Sequence, residues 1–188
     1  PPDLHPHPLV QQVAKIIARS SHQLNVALEG LEPGDFDFGA LYFEALDQIK
    51  HLAIKYHPPQ MEGVSDQDYY RYQNIVTAAY QWHDLLLGSI LKRIGSNCNI
   101  ILVSDHGFSF DIARQLELSD HPAAPATEHR PYGILLAAGP DFNPNTAILG
   151  AGLLDIVPNV LHHFSLPIGW DMEGRLWQGL GRVKREAS

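Results

Sequence analysis

Three short stretches of the 188-residue chain combine acids and histidines at spacings that could hold a cation. Asp47 and His51 stand four residues apart. On a helix both side chains lie on one face and can grip one ion, though a helix cap beside a surface histidine would explain the same pair. Asp105-His106-Gly107 follows an apolar run. Neighbours on a regular strand point to opposite faces, so joint ligation needs a turn there, which Gly107 permits; an Asx-type turn is the plainer reading of this tetrapeptide with Ser104. Thr127-Glu128-His129-Arg130 precedes another apolar run. Its imidazole suits zinc-like metals and Arg130 can hold an anion's oxygens, whereas a solvated loop with a Glu–Arg pair would account for it equally. Together the stretches bring two Asp and three His near the ends of predicted strands, and that joint pattern favours a metal site.

The elements that must carry these residues alternate in type. Leu9 to Leu28 shows a helical apolar stripe ended by Glu29-Gly30, after an extended Pro- and His-rich lead-in, Pro1 to Pro8. Glu32 to Asp35 reads as a turn, and Phe38 to Phe43 as a buried strand with Asp47 just beyond its end. Leu46 to Tyr56 predicts one or two helical turns stopped by His57-Pro58-Pro59. Ser65 to Asp68 resembles a helix start, and the periodicity from Tyr69 to Ile94 predicts the longest helix. Cys98 to Val103 and Tyr132 to Ala138 predict two more buried strands, separated by a loop-like stretch around Asp120-His121-Pro122. Leu153 to Phe164 predicts a helix in which Pro158 marks a kink or an early first turn, and a basic tail closes the chain. Buried strands alternating with helices imply an α/β fold, a sheet flanked by helices on both faces, in which ligands gather at the carboxyl ends of strands.

Composition narrows the partners. Acids outnumber bases 21 to 13, a net charge of −8, with no cluster of Lys and Arg, which argues against a nucleic-acid polymer. A small anionic substrate fits only if metal ions supply the positive charge. No apolar stretch approaches the roughly 20 residues of a membrane span. Cys98 is the lone cysteine, so no internal disulfide forms. Of the eleven histidines, His57, His83, His121, His162 and His163 have no acid at useful spacing and read as surface or packing residues, and His5 and His7 fall in the lead-in. The aromatic cluster of Tyr69, Tyr70, Tyr72, Tyr80 and Trp82 reads as helix packing.

Read in order, four motifs agree with one known family. Tyr42-Phe43-Glu44-Ala45-Leu46-Asp47-Gln48-Ile49-Lys50-His51 with His57-Pro58-Pro59, then Val103 to Phe108, then Thr127 to Ile134 leading into Ala138-Gly139-Pro140, and finally Leu153 to Pro158 with Leu166-Pro167 and Asp171 to Arg175, resemble the type I phosphodiesterase/nucleotide pyrophosphatase family of the alkaline phosphatase superfamily. The resemblance runs from about Glu32 to Leu176. It implies one domain over residues 1–188, part of an alkaline-phosphatase-like sheet and similar to the C-terminal half of that catalytic domain. Sulfatases, phosphonate hydrolases and metal-dependent phosphoglycerate mutases share much of the ligand set, but the Tyr42-to-Pro59 stretch favours the phosphodiesterase branch.

The resemblance also implies chemistry: a two-metal phosphohydrolase, usually with zinc, sometimes with manganese or iron, acting on a small phosphate ester through a covalent phospho-enzyme. By its pattern Asp47, His51 and His129 would hold one ion, and Asp105 and His106 the second, with a further Asp and a nucleophilic Thr or Ser from an earlier segment. Nothing from Pro1 to Leu31 matches that earlier segment, and Ser20 and Ser21 lie inside a predicted helix. The expectation is therefore a chain with one complete metal site, no nucleophile of its own and little turnover. The rival expectation is a non-catalytic, single-metal-binding or self-associating half-domain, since a half-sheet exposes an apolar edge and face.

Overall fold

Pro8 has no N–H to lose in a helix's first turn, and there α1 (Pro8–Gly30) begins, with the Leu9 N–H donating to His7 Nδ1 at 3.3 Å. The computed structural model describes residues 7–32, 36–111, 114–117 and 123–178. The start of the lead-in with His5, the Pro33-Gly34-Asp35 turn, the stretch around Asp120-His121-Pro122 and the basic tail lie outside the described residues. No helix among the described residues is long and apolar enough to cross a membrane. The described chain is a mixed helix-and-strand, α/β structure whose sheets are small and antiparallel.

Contacts divide it into two units. The first comprises Pro1–Gly95 and Phe108–Arg130. Here α1 packs on α2 (Ala45–Ala53) and on α4 (Ile75–Ile94), and α2 packs on α4. Ala45, Ile49 and Ala53 recur every fourth residue, so α2 buries one stripe. A small core forms where Ala53 and Ile54 meet Val76 and Phe108, each under 5% exposed. Ser20 and Ser21 lie inside α1: both hydroxyls donate to the Ile17 carbonyl, and buried Ser20 accepts the Trp82 indole N–H at 3.2 Å. After α2 a 3-10 turn, Ile54–Tyr56, is clasped by Arg114, which is almost wholly buried. Its guanidinium donates to the carbonyls of Ile54, His57 and Pro59. Only a planar fork of several N–H groups reaches three such acceptors at once.

Two expectations change in this unit. Phe38 to Phe43 is irregular and exposed, with Phe38 at 59% and Tyr42 at 79% exposure, not a buried strand. An apolar run alone does not build a strand without a ladder to join, and α2 begins two residues on. Asp47 accordingly lies in the first turn of α2. The long helix expected up to Ile94 is two, α3 (Asp66–Tyr72) and α4, joined at Gln73-Asn74, and α1 is the longest helix described. Asn favours local bonding over helix continuation, which suits it to the join. The expected start is correct: Ser65 Oγ accepts the Asp68 N–H at 3.1 Å.

The second unit comprises Ser96–Gly107 and Pro131–Ser188. Strand β1 (Ile100–Val103) pairs antiparallel with a strand at Leu135–Ala138, in the register Ile100↔Ala138 to Val103↔Leu135. Gly133 lies beside this ladder, where a Cβ would sit 1.9 Å from the Ser104 carbonyl oxygen, so no other residue fits. The strands are half-exposed, with Leu136 at 60%, and not the buried strands expected, because a two-stranded ladder leaves alternate side chains without a facing layer. Pro158 stands at the third position of α5 (Ile156–His163), in an early first turn. Ahead of α5, buried Asp155 accepts the N–H groups of Arg175 at 2.7 Å and Gly152 at 2.9 Å. Buried Asn159 donates to the Asp155 and Arg175 carbonyls and accepts the Trp177 N–H, which gives this residue a purely structural part.

The backbone N–H groups of Arg175 and Gly152 hold the Asp155 carboxyl below its ordinary value. Its stabilising effect is therefore complete above the unfolded carboxyl value of about 3.9 and is lost as pH falls through the lowered folded value. Asp155→Asn, which turns one acceptor into a donor, should cost about 1–3 kcal/mol in urea unfolding at neutral pH. It should also flatten the loss of stability below about pH 4 relative to the unaltered chain.

Candidate metal centre

Helix α2 sets the first half of the site. Asp47 and His51 are one turn apart, and their side chains meet with Asp47 Oδ2 at 3.4 Å from His51 Nε2. The second half comes from a change of backbone type. A 3-10 turn, Ala124–Glu128, ends at Glu128, and His129 (φ −80°, ψ 150°) starts the short strand β3 (His129–Arg130), which faces β2 (Gly107–Phe108). The pairing is fixed by the Ser109 N–H donating to the Glu128 carbonyl at 2.9 Å. Side chains at consecutive positions of a strand would diverge, but the switch from turn to strand lets Glu128 and His129 both reach His51.

They reach it at opposite nitrogens. Glu128 Oε2 lies 2.7 Å from His51 Nδ1, and His129 Nε2 lies 2.9 Å from His51 Nε2. His129 Nε2 is also 3.3 Å from Asp47 Oδ1. Acting as an acceptor, the Glu128 carboxylate takes the Nδ1–H of a neutral His51, which leaves a lone pair on His51 Nε2; the proton between the two Nε2 atoms then belongs to His129. Burial grades inward: the Asp47 side chain is 36% exposed, His129 24%, His51 16% and Glu128 2%. The Phe108 ring backs the cluster, with its centroid 4.9 Å from that of His51 and 5.6 Å from that of His129. Lys50 Nζ lies 4.5 Å from the centre of the same ring, and burial lowers the Lys50 ammonium below its ordinary range against the opposing pull of Asp47.

The donor set suits a divalent ion. One carboxylate and two imidazoles offer one ligand atom each, all within 4.8 Å of one another, and no other such group of three occurs among the described residues. Tetrahedral zinc with bonds of about 2.0–2.1 Å keeps its ligand atoms roughly 3.3 Å apart; here His51 Nε2 is 3.4 Å from Asp47 Oδ2, His129 Nε2 is 3.3 Å from Asp47 Oδ1, and the two Nε2 atoms are 2.9 Å apart. The buried carboxylate behind His51 completes a carboxylate–histidine arrangement that commonly supports a metal-binding imidazole.

The remaining sequence candidates are placed differently. Arg130 forms an ion pair with Asp111, both half-exposed, so the Glu–Arg pair considered for that loop does not form; Glu128 turns to His51 instead. Asp105 and His106 belong to the second unit, where Asp105 Oδ1 is 3.7 Å from His106 Nε2 and Asp105 is largely exposed. His106 Nδ1 lies 3.0 Å from the Gly107 carbonyl, so a neutral His106 donates there and keeps its Nε2 lone pair. The turn expected at Gly107 is held one step earlier, by Ser104 Oγ donating to the His106 carbonyl, and Gly107 itself opens β2. Contrary to the spacing argument, His163 does meet an acid: its Nε2 is 3.8 Å from Asp141 Oδ2, with Asn99 bonded to the same carboxylate. Sequence reasoning missed Glu128 and Phe108 as parts of the site. The signal for Glu128 was its place beside a candidate histidine ligand, since such ligands usually need a carboxylate for their other ring nitrogen.

A model of the type I phosphodiesterase / nucleotide pyrophosphatase family matches residues 6–131, a segment that contains Asp47, His51, Asp105, His106, His129 and Arg130. It starts earlier than the motifs did and so takes in α1, and it stops before the closing motifs around Leu153 to Arg175. No curated protein and no solved structure matches the chain.

His51→Ala or His129→Ala should weaken zinc binding by more than the roughly 10–100-fold that loss of an outer hydrogen-bond partner costs. His162→Ala, at an exposed position of α5, should leave it unchanged. Competition against a chromophoric chelator measures both, and equal affinities in all three variants would remove these residues from the ligand set.

Proposed function

The chain belongs to the type I phosphodiesterase / nucleotide pyrophosphatase family, and from that premise we propose that it carries part of the metal machinery of a phosphohydrolase acting on a phosphodiester, a pyrophosphate or a phosphate monoester. The observation that carries the reading is the Asp47, His51 and His129 cluster inside the matched segment. These three side chains would hold one divalent ion, zinc by the chemistry of the donor set. Asp105 and His106 would serve a second ion together with ligands from outside these 188 residues, and the nucleophilic Thr or Ser is likewise expected from outside them. Ions bound there would neutralise phosphate oxygens and ease formation of the attacking and leaving oxygens.

The protein's own residues do the rest. Asp47 and the two imidazoles would supply the ligand atoms, which lie within 4.8 Å of one another. Phe108 walls one side against water. Arg130 would meet a substrate oxygen by exchanging its Asp111 carboxylate for the anion. Net charge supports a small anion attracted by bound cations over any extended polyanion.

A second reading, a self-associating metal-binding module, draws on Trp170, Leu149 and Tyr132, which are 97%, 90% and 86% exposed in the second unit. Light scattering separates the two, since a clean monomer with little dye-accessible apolar surface would weaken the second.

Zinc titration of the chelator-treated chain should find one tight site. Two tight sites, or none, would count against the assignment. The same chain should hydrolyse bis(p-nitrophenyl) phosphate no faster than buffer with zinc; robust turnover would mean that the nucleophile lies within these residues after all.

A further inference from the structure

We propose that Glu128 is a positioning residue for the metal centre: it fixes the tautomer and ring orientation of His51 so that Nε2 is a ready ligand before any ion arrives. The inference rests on the metal reading above and extends it to a residue that would touch no ion. Three observations carry it. The Glu128 side chain is 2% exposed, so its carboxylate has given up nearly all contact with water. Its Oε2 lies 2.7 Å from His51 Nδ1, the nitrogen that faces away from Asp47 and His129. His51 Nε2, by contrast, lies among the other ligand atoms, 3.4 Å from Asp47 and 2.9 Å from His129.

The division of labour follows from hydrogen-bond chemistry. A carboxylate only accepts, so a neutral His51 must put its single proton on Nδ1, and its Nε2 lone pair is exposed to the ligand cluster. Without Glu128 the ring could hold the proton on either nitrogen and could rotate about its own axis, and part of the population would present an N–H where a ligand atom is needed. Phe108, edge-on to the His51 ring, restricts the same rotation sterically but has no say in the tautomer.

Two readouts test this. Long-range proton–nitrogen correlation spectra of the zinc-free, unaltered chain should show neutral His51 as the Nδ1–H tautomer. Finding His51 protonated at Nε2 overturns the proposal, and this measurement decides the matter even where a variant does not fold. Glu128→Gln, of the same shape, should weaken zinc binding by roughly 10–100-fold and mix the His51 tautomers. Zinc affinity in that variant within twofold of the unaltered chain also overturns it. An unaltered chain that binds no zinc fails differently: it removes the metal centre itself and with it anything for Glu128 to prepare, whereas tight zinc binding untouched by Glu128→Gln removes only the role of Glu128.

Discussion

One hydrogen bond organises the chemistry of the first unit, the 2.7 Å contact between the Glu128 carboxylate and His51 Nδ1. A buried carboxylate is expensive to desolvate, and it stays buried only where a donor of fixed direction meets it. That donor is carried by α2, so the position of β3 and the preceding 3-10 turn is set against the helix by a polar contact and not by apolar fit alone. The Phe108 ring supports this arrangement by packing against both imidazoles while belonging to the Ala53, Ile54 and Val76 core. Core and site therefore share one side chain, and a change of ring size at Phe108 would be felt in both.

Arg114 does on the backbone what Glu128 does on the side chain. By collecting the carbonyls of Ile54, His57 and Pro59 it fixes the path of the chain just beyond the end of α2. Apolar burial at Ala53 and Ile54 supplies the attraction, at about 25 cal/mol per Å² removed from water, and the guanidinium supplies the stop. The same logic recurs in the second unit, where Asp155 and Asn159 tie α5 to the Arg175–Trp177 segment. In each unit a buried polar side chain, fully engaged, decides where an irregular segment must lie.

The parts of this arrangement differ in how far they could be read from the chain alone. The meeting of Asp47 and His51 was legible because a four-residue helical spacing is local, whereas their grouping with His129 was legible only through the family resemblance. The start of α1, the cap at Ser65, the β1 and Leu135–Ala138 strands and the early Pro158 were legible for the same local reason, since each depends on neighbours in sequence. The partner of Glu128 was not: His51 is 77 residues away, and a Glu two positions before an Arg suggested a different pairing. Phe38 to Phe43 misled because an apolar run does not say whether a neighbouring strand exists to join it. Arg114 gave no local hint of its three acceptors, which are set by the path of the chain around His57 to Pro59.

The change of backbone type between Glu128 and His129 has a consequence for how the ligand set comes into being. Asp47 and His51 face the same way as soon as α2 is helical, but His129 joins them across a loop of 78 residues. Closing such a loop in a flexible chain costs about 4 kcal/mol on the logarithmic entropy scale. Where the docked β2 and β3 strands have already met that cost, an arriving ion would encounter three assembled side chains. Where they have not, the ion must draw two distant segments together, and part of its binding energy becomes folding energy. The affinity of such a centre would gauge how far the polypeptide has organised itself in advance, and metal capture would double as a report on tertiary structure.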